Sequence, residues 1–185
     1  MKVLMQSRKN FFELRGGDTV QLEKTKMELE KLGVEVDFSL DFEPDLSNYD
    51  LVHLSNVTRI QETYLHVKNA KKQGKPITFD PNLRPPLWKT PGEAKQQILW
   101  GLSMADVVKI SDEEAEFLWG TADEKHAAEV LLSEYGVRLA MITMGPRGAY
   151  LANRNAGAYA VCPAVTPVDT TGAGDIFGGS AVSRL

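Results

Sequence analysis

Short apolar runs of strand length alternate with helix-patterned segments along most of this chain, and that alternation leaves few folds open. Residues 1–5, 34–38, 51–54, 77–79, 107–110 and 139–143 read as strands. The first helix is expected from Asp18, with Asp18 as its cap and Gln21 in the capping-box position. Leu22, Thr25, Leu29 and Leu32 share one face of it, Glu23, Lys26, Glu30 and Lys31 lie outside, and Gly33 stops it. Further helices are expected over 61–73, 90–102, from Glu113 onward, and over 123–135. Residues 149–152 and 158–161 read as an antiparallel hairpin. Strands joined by helices call for a mainly parallel sheet covered on both faces, with right-handed crossovers. The expected fold class is therefore α/β: a three-layer, Rossmann-like, mainly parallel sheet with an antiparallel edge hairpin near 149–161. At 185 residues the chain is expected to form one domain, large enough to bury its core without disulfide or metal.

Chemistry concentrates near the C-terminus, in the run Val168-Asp169-Thr170-Thr171-Gly172-Ala173-Gly174-Asp175. Two glycines flank an alanine, a carboxylate follows, and an apolar helix-like run begins at Ile176. Free N–H groups at a helix N-terminus hold an anion. A carboxylate beside that anion can take a proton from an attacking hydroxyl, an arrangement suited to phosphoryl transfer. The plainer reading of Asp175 is an acidic residue in a first helical turn, favoured by the dipole alone.

This heptapeptide resembles the C-terminal signature of the ribokinase-like (pfkB) carbohydrate kinases. Three more segments agree in order: Phe79-Asp80-Pro81-Asn82-Leu83-Arg84 with Trp88, Lys109-Ile110-Ser111-Asp112-Glu113-Glu114, and Ile142–Tyr150. Together they resemble the fructokinase and ketodeoxygluconate-kinase branch over residues 77–185. The resemblance implies Asp175 as catalytic base. Thr143, Gly145, Gly148, Gly172, Ala173 and Gly174 would lie around nucleotide phosphates, and Asn82 and Arg84 on the substrate or phosphate side. It implies ATP and Mg²⁺, with Glu114 ordering water around the metal, and a monovalent cation near Asp169 and Thr171. Several of these residues have bland alternatives. Ser111 stands where the family usually has Asn, and Ser-x-x-Glu is also a capping box. Gly145 and Gly148 suit a turn between strands. Arg84 could pair locally with Asp80.

Residues 1–76 resemble something else: the N-terminal Rossmann-like domain of a GT-B glycosyltransferase, on Met1–Gln6, Arg15-Gly16-Gly17-Asp18 and Tyr49–Leu54. The expectation is thus a hybrid of engineered appearance, with a glycosyltransferase-like half joined to a sugar-kinase-like half within one fused domain. Such a scaffold would bind anions or nucleotide phosphates weakly with little turnover. The alternative is a working ATP-dependent carbohydrate kinase completed by homo-oligomerisation. A weaker third reading is a residual nucleotide-sugar site at Arg15–Gly17. The family's sugar-binding opening and lid are not readable, and its adenine-pocket helices are expected beyond Leu185.

A net charge of −4 disfavours nucleic acid as partner, since such surfaces rely on basic faces. The expected partner is a small-molecule nucleotide or phosphate. Cys162 is the single cysteine, which permits no intrachain disulfide and fits a cytoplasmic, reducing setting. His53, His66 and His126 lack zinc spacing, and His53 reads as a packed strand residue. No apolar run is long enough to cross a membrane, and no signal peptide is readable.

Overall fold

The computed structural model describes residues 1–54, 59–163 and 173–182. Contacts divide the chain into two compact units, and the chain passes from one to the other within the short strand β4 (Ile77–Phe79).

The first unit holds β1 (Lys2–Gln6), α1 (Gly17–Lys31), β2 (Glu35–Ser39), β3 (Leu51–Leu54), α2 (Ile60–Lys72) and α6 (Ala173–Val182). β1 is central and pairs in parallel with β2 (Val3 opposite Val36) and with β3 (Val3 opposite Leu51). Its core gathers Val3, Met5, Phe11, Leu22, Leu29, Val34, Val36 and Leu51. The apolar stripe of α1 supplies Leu22, Thr25 and Leu29 as expected. Leu32 departs from that stripe: it sits at the C-cap, past the last helical turn, and is exposed. Gly33 ends the helix at φ +79°, a conformation glycine adopts without strain.

The start of α1 also differs from expectation. The cap lies two residues earlier, at Gly16, and the Thr19 hydroxyl accepts the Gly16 N–H at 3.2 Å. Asp18 is drawn away to Arg8, whose Nε donates to it at 2.7 Å. The Arg8 guanidinium holds the Asp18 carboxyl below its ordinary range. Arg8 also donates to Asn10 Oδ1 at 2.9 Å, so one side chain organises the 8–18 loop.

The second unit holds α3 (Pro91–Met104), β5 (Val107–Ser111), α4 (Asp112–Trp119), α5 (Glu124–Ser133), β6 (Leu139–Thr143), β7 (Ala149–Ala152) and β8 (Gly157–Ala160). β4, β5 and β6 run parallel, and β6–β7–β8 continue antiparallel. Mainly parallel α/β architecture with an antiparallel terminal hairpin is thus what the alternation called for. Ile98, Leu102, Val108, Ile110, Leu118, Leu131 and Ile142 are almost fully buried. Thr90 caps α3 by accepting Glu93 N–H at 3.1 Å, with Pro91 at the first helical position. Asp123 caps α5 through His126 N–H at 2.8 Å.

Candidate functional site

In a parallel sheet the loops that follow the strands emerge on one side, where α/β proteins bind ligands. In the second unit, Asn82 and Arg84 lie in the loop after β4, Glu114 in the first turn of α4 after β5, Thr143 at the end of β6, and Gly145 and Gly148 in the turn that follows it. Register places Ser111 at the end of β5 directly opposite Thr143 at the end of β6.

Two buried carboxylates organise these loops. Asp80 follows β4 and meets the Lys109 ammonium at 3.2 Å, both side chains being about nine-tenths buried. Asp80 Oδ1 also accepts the Asn82 N–H at 3.2 Å. Asn82 is the one non-glycine residue with positive φ, at +46°, among the described residues. Such a bend is tolerated by Asn better than by most side chains. Glu114, 7% exposed, is the second carboxylate. Its Oε2 accepts Ser111 N–H at 2.8 Å and its Oε1 accepts Leu83 N–H at 2.7 Å. Ser111 Oγ in turn accepts Glu114 N–H at 3.1 Å. The capping box is therefore fully formed, and the same carboxylate also reaches the β4 loop.

Arg84 is exposed, and its guanidinium forms no ion pair among the described residues. The local Asp80–Arg84 pair does not form, because Lys109 occupies Asp80. Lys109 was not singled out as a site residue. A lysine inside the apolar strand Val107-Val108-Lys109-Ile110 was the available signal, since a buried cation requires a carboxylate partner.

The loop after β6 is a single tight turn. Thr143 donates weakly to Ile110 O at 3.4 Å. Gly145 has φ +55° and Gly148 has φ +93°. The Gly148 N–H donates to Gly145 O at 3.0 Å. A Cβ on Gly148 would fall 2.1 Å from the Ala160 carbonyl oxygen. Glycine at 148 is thus required by the passage of β8, before any ligand is considered. Arg147 anchors the turn to Asp112 at 2.8 Å, with Glu124 at 4.0 Å. The Tyr159 hydroxyl donates to Glu124 at 2.7 Å, and this bond pushes the phenol up to about 12.

Asp175 is the third residue of α6, in the first unit, and Ala173 and Gly174 open that helix. The helix starts three residues ahead of the expected Ile176. α6 lies on α1: a Cβ on Gly179 would be 3.5 Å from both Leu29 Cδ2 and Thr25 Cγ2. Asp169, Thr171 and Gly172 lie outside the described residues.

No group of three or more metal-capable side chains occurs among the described residues. Mg²⁺ commonly keeps its waters and binds through few carboxylates plus substrate phosphates. A single buried carboxylate such as Glu114 fits water-mediated contact with such an ion, and does not make a protein cage.

Comparison with known proteins decides the family. The profile of the pfkB family carbohydrate kinases matches residues 10–185. The chain belongs to that family. It is 32% identical over 151 residues to the fructokinase of Vibrio alginolyticus, covering 76% of this chain and 48% of that one. A Vibrio cholerae O395 fructokinase crystallised with fructose, ADP and calcium ion superposes with TM-score 0.67 at 32% identity, covering 80% of this chain and 51% of that one. A double mutant of that enzyme with fructose, ADP and potassium ion covers 99% of this chain and 69% of that chain, with TM-score 0.70 at 24% identity, a likeness of fold. The chain spans about half the length of the curated relatives it matches.

These matches overturn the two-parent expectation. Residues 10–76 fall inside the same family match as the rest, so the chain is neither glycosyltransferase-like in its first half nor a chimera. An opening strand, a Gly-Gly turn and a charged helix are common to many Rossmann-like units and do not separate the two families. The proposed nucleotide-sugar loop has a local explanation as well. Arg15 makes a paired contact with Glu23 at 2.6 and 2.8 Å, and Gly16 caps α1. The expectation of an inert scaffold falls with the hybrid. No helix among the described residues is long and apolar enough to cross a membrane.

Proposed function

We propose that this chain is the core of an ATP-dependent carbohydrate kinase that transfers the γ-phosphoryl group to a sugar hydroxyl. The observation that carries this reading is the family match over residues 10–185, which includes the Gly172-Ala173-Gly174-Asp175 run and all three strand-end loops of the second unit. Asp175 takes the proton from the attacking hydroxyl as general base. The amides of Gly172, Ala173 and Gly174 would face the phosphoryl oxygens, as helix N-termini do toward anions. Thr143, Gly145 and Gly148 border the nucleotide phosphates, and Asn82 and Arg84 face the sugar or its acquired phosphate. Glu114 would hold Mg²⁺ through water, and that ion would neutralise phosphate charge when bound. Asp169 and Thr171 would border a monovalent cation. Most of the rate comes from positioning and electrostatics, as phosphoryl transfer requires little covalent help.

The solved relative with bound fructose and ADP makes fructose the first acceptor to try. The test is coupled ADP release with Mg·ATP and fructose, 2-keto-3-deoxygluconate or ribose. Turnover with one sugar, reduced about 10²–10⁴-fold in Asp175→Asn, is the expected result. ADP release that is unchanged in Asp175→Asn, or absent with every acceptor, overturns the reading. Sedimentation at assay concentration reports whether the active form is a homo-oligomer.

A further inference from the structure

The buried carboxylate of Glu114 is more than a helix cap, and its second contact is long-range. Oε2 completes the capping box with Ser111 N–H, which any Ser-x-x-Glu at a helix start can do. Oε1 reaches instead to the Leu83 amide, 31 positions back along the chain, at 2.7 Å. That amide is presented by an unusual bend. Asp80 accepts Asn82 N–H, Asn82 adopts φ +46°, and Lys109 from the middle of β5 holds Asp80 in place. The loop between Asp80 and Arg84 is therefore fixed at two points, both belonging to the β5–α4 segment. Arg84, the next residue, is exposed with no ion pair among the described residues.

We infer that Glu114 is a positioning residue that latches the Asp80–Arg84 loop, setting where the Arg84 guanidinium meets an anionic or polyhydroxyl ligand. The Asp80–Lys109 pair is the second half of the latch. Carboxylate-to-amide bonds are short and strong when buried, and losing one leaves a donor without a partner. The inference gives Glu114 a task distinct from ordering metal-bound water. Its functional consequence rests on the kinase reading; the latch itself does not.

Amide hydrogen exchange by NMR on the full chain, run on wild type, Glu114→Gln and Ser111→Ala, tests the latch without turnover. Glu114→Gln keeps the side-chain volume and removes the charge that serves both amides. Exchange at Leu83 should rise about tenfold or more in Glu114→Gln, as expected for a lost charge-assisted hydrogen bond. Ser111→Ala weakens the cap and keeps the carboxylate, so Leu83 protection should stay within about threefold of wild type, a smaller change than loss of a charged partner gives. Leu83 exchange unchanged in Glu114→Gln, or raised equally in both variants, overturns the latch.

Kinetics with fructose and Mg·ATP then read its consequence. The expected result is a sugar KM raised about tenfold in Glu114→Gln, the signature of lost ligand positioning, over and above any change in half-saturating Mg²⁺ that loss of the water-mediated contact brings. A shift in Mg²⁺ dependence with unchanged sugar KM overturns the positioning role. Should wild type transfer no phosphoryl group, the kinase reading fails, and the exchange measurement still decides the latch.

Discussion

Two glycines three residues apart, both at positive φ, should respond very differently to the same added methyl group. At Gly145 the backbone has φ +55°, and nothing lies within 4 Å of the position a Cβ would take. Alanine there carries the left-handed penalty alone, about 1–2 kcal/mol. At Gly148 the backbone has φ +93° and ψ −139°, and the Cβ would sit 2.1 Å from Ala160 O and 3.0 Å from Cys162 N. Those neighbours are main chain and cannot rotate aside. Backbone strain of about 1–3 kcal/mol adds to overpacking of about 1–3 kcal/mol. Gly148→Ala should therefore exceed Gly145→Ala by about 2 kcal/mol, equivalent to roughly 4–8 °C in melting temperature for a chain of this size. Urea titrations followed by circular dichroism measure the difference, and NMR spectra show whether β8 shifts. Variants matching within about 0.5 kcal/mol, below the smallest strain considered above, would refute the claim that β8 dictates glycine at 148.

Other perturbations have similarly definite outcomes. Burial lowers the His53 imidazole to about 4, so the folded state favours the neutral ring. That preference is present in full above the ordinary pKa and is lost as pH falls from about 6.5 toward 4. The loss is at most about 3 kcal/mol, since His53 keeps some exposure to water; melts at pH 7.5 and 4.5 should show a smaller difference in His53→Leu than in wild type, and equal differences would contradict the assignment. Tyr159 should titrate near 12 and move back toward its ordinary value in Glu124→Gln, read as the absorbance difference from Tyr159→Phe. Removing the cap of α3 by Thr90→Ala should destabilise by about 1 kcal/mol in denaturant titration, and a change below a few tenths would show that the 3.1 Å bond to Glu93 N–H contributes little.

Much of the fold was legible because its signals are local. Period, caps and turn glycines located every regular strand and helix of the second unit to within a few residues. The same signals failed where a distant partner intervened. Asp18 has the chemistry of a cap, but Arg8 captures it, and nothing local in the sequence couples those two residues. Leu32 continues the spacing of the α1 stripe, but the helix ends before it reaches the core. At the site, Ser111 and Glu114 form the capping box that their spacing predicts; local spacing could not reveal that Glu114 also holds Leu83. The first 76 residues misled for a different reason. A strand, a turn and an amphipathic helix describe a physical unit, and many families use that unit, so the pattern carries little family information by itself.

The buried pair of Asp80 and Lys109 has a consequence for how such a chain can change over generations. Replacing either member alone takes the ionic partner from a charge in a site about nine-tenths enclosed, at a loss of about 3–5 kcal/mol. That is a large part of the stability of an ordinary domain. Exchanging both for apolar residues of similar volume would remove the penalty, but would also free the Asn82 amide from its acceptor. Single-step drift is thus closed at these two codons, 29 residues apart, and they are inherited as though they were one.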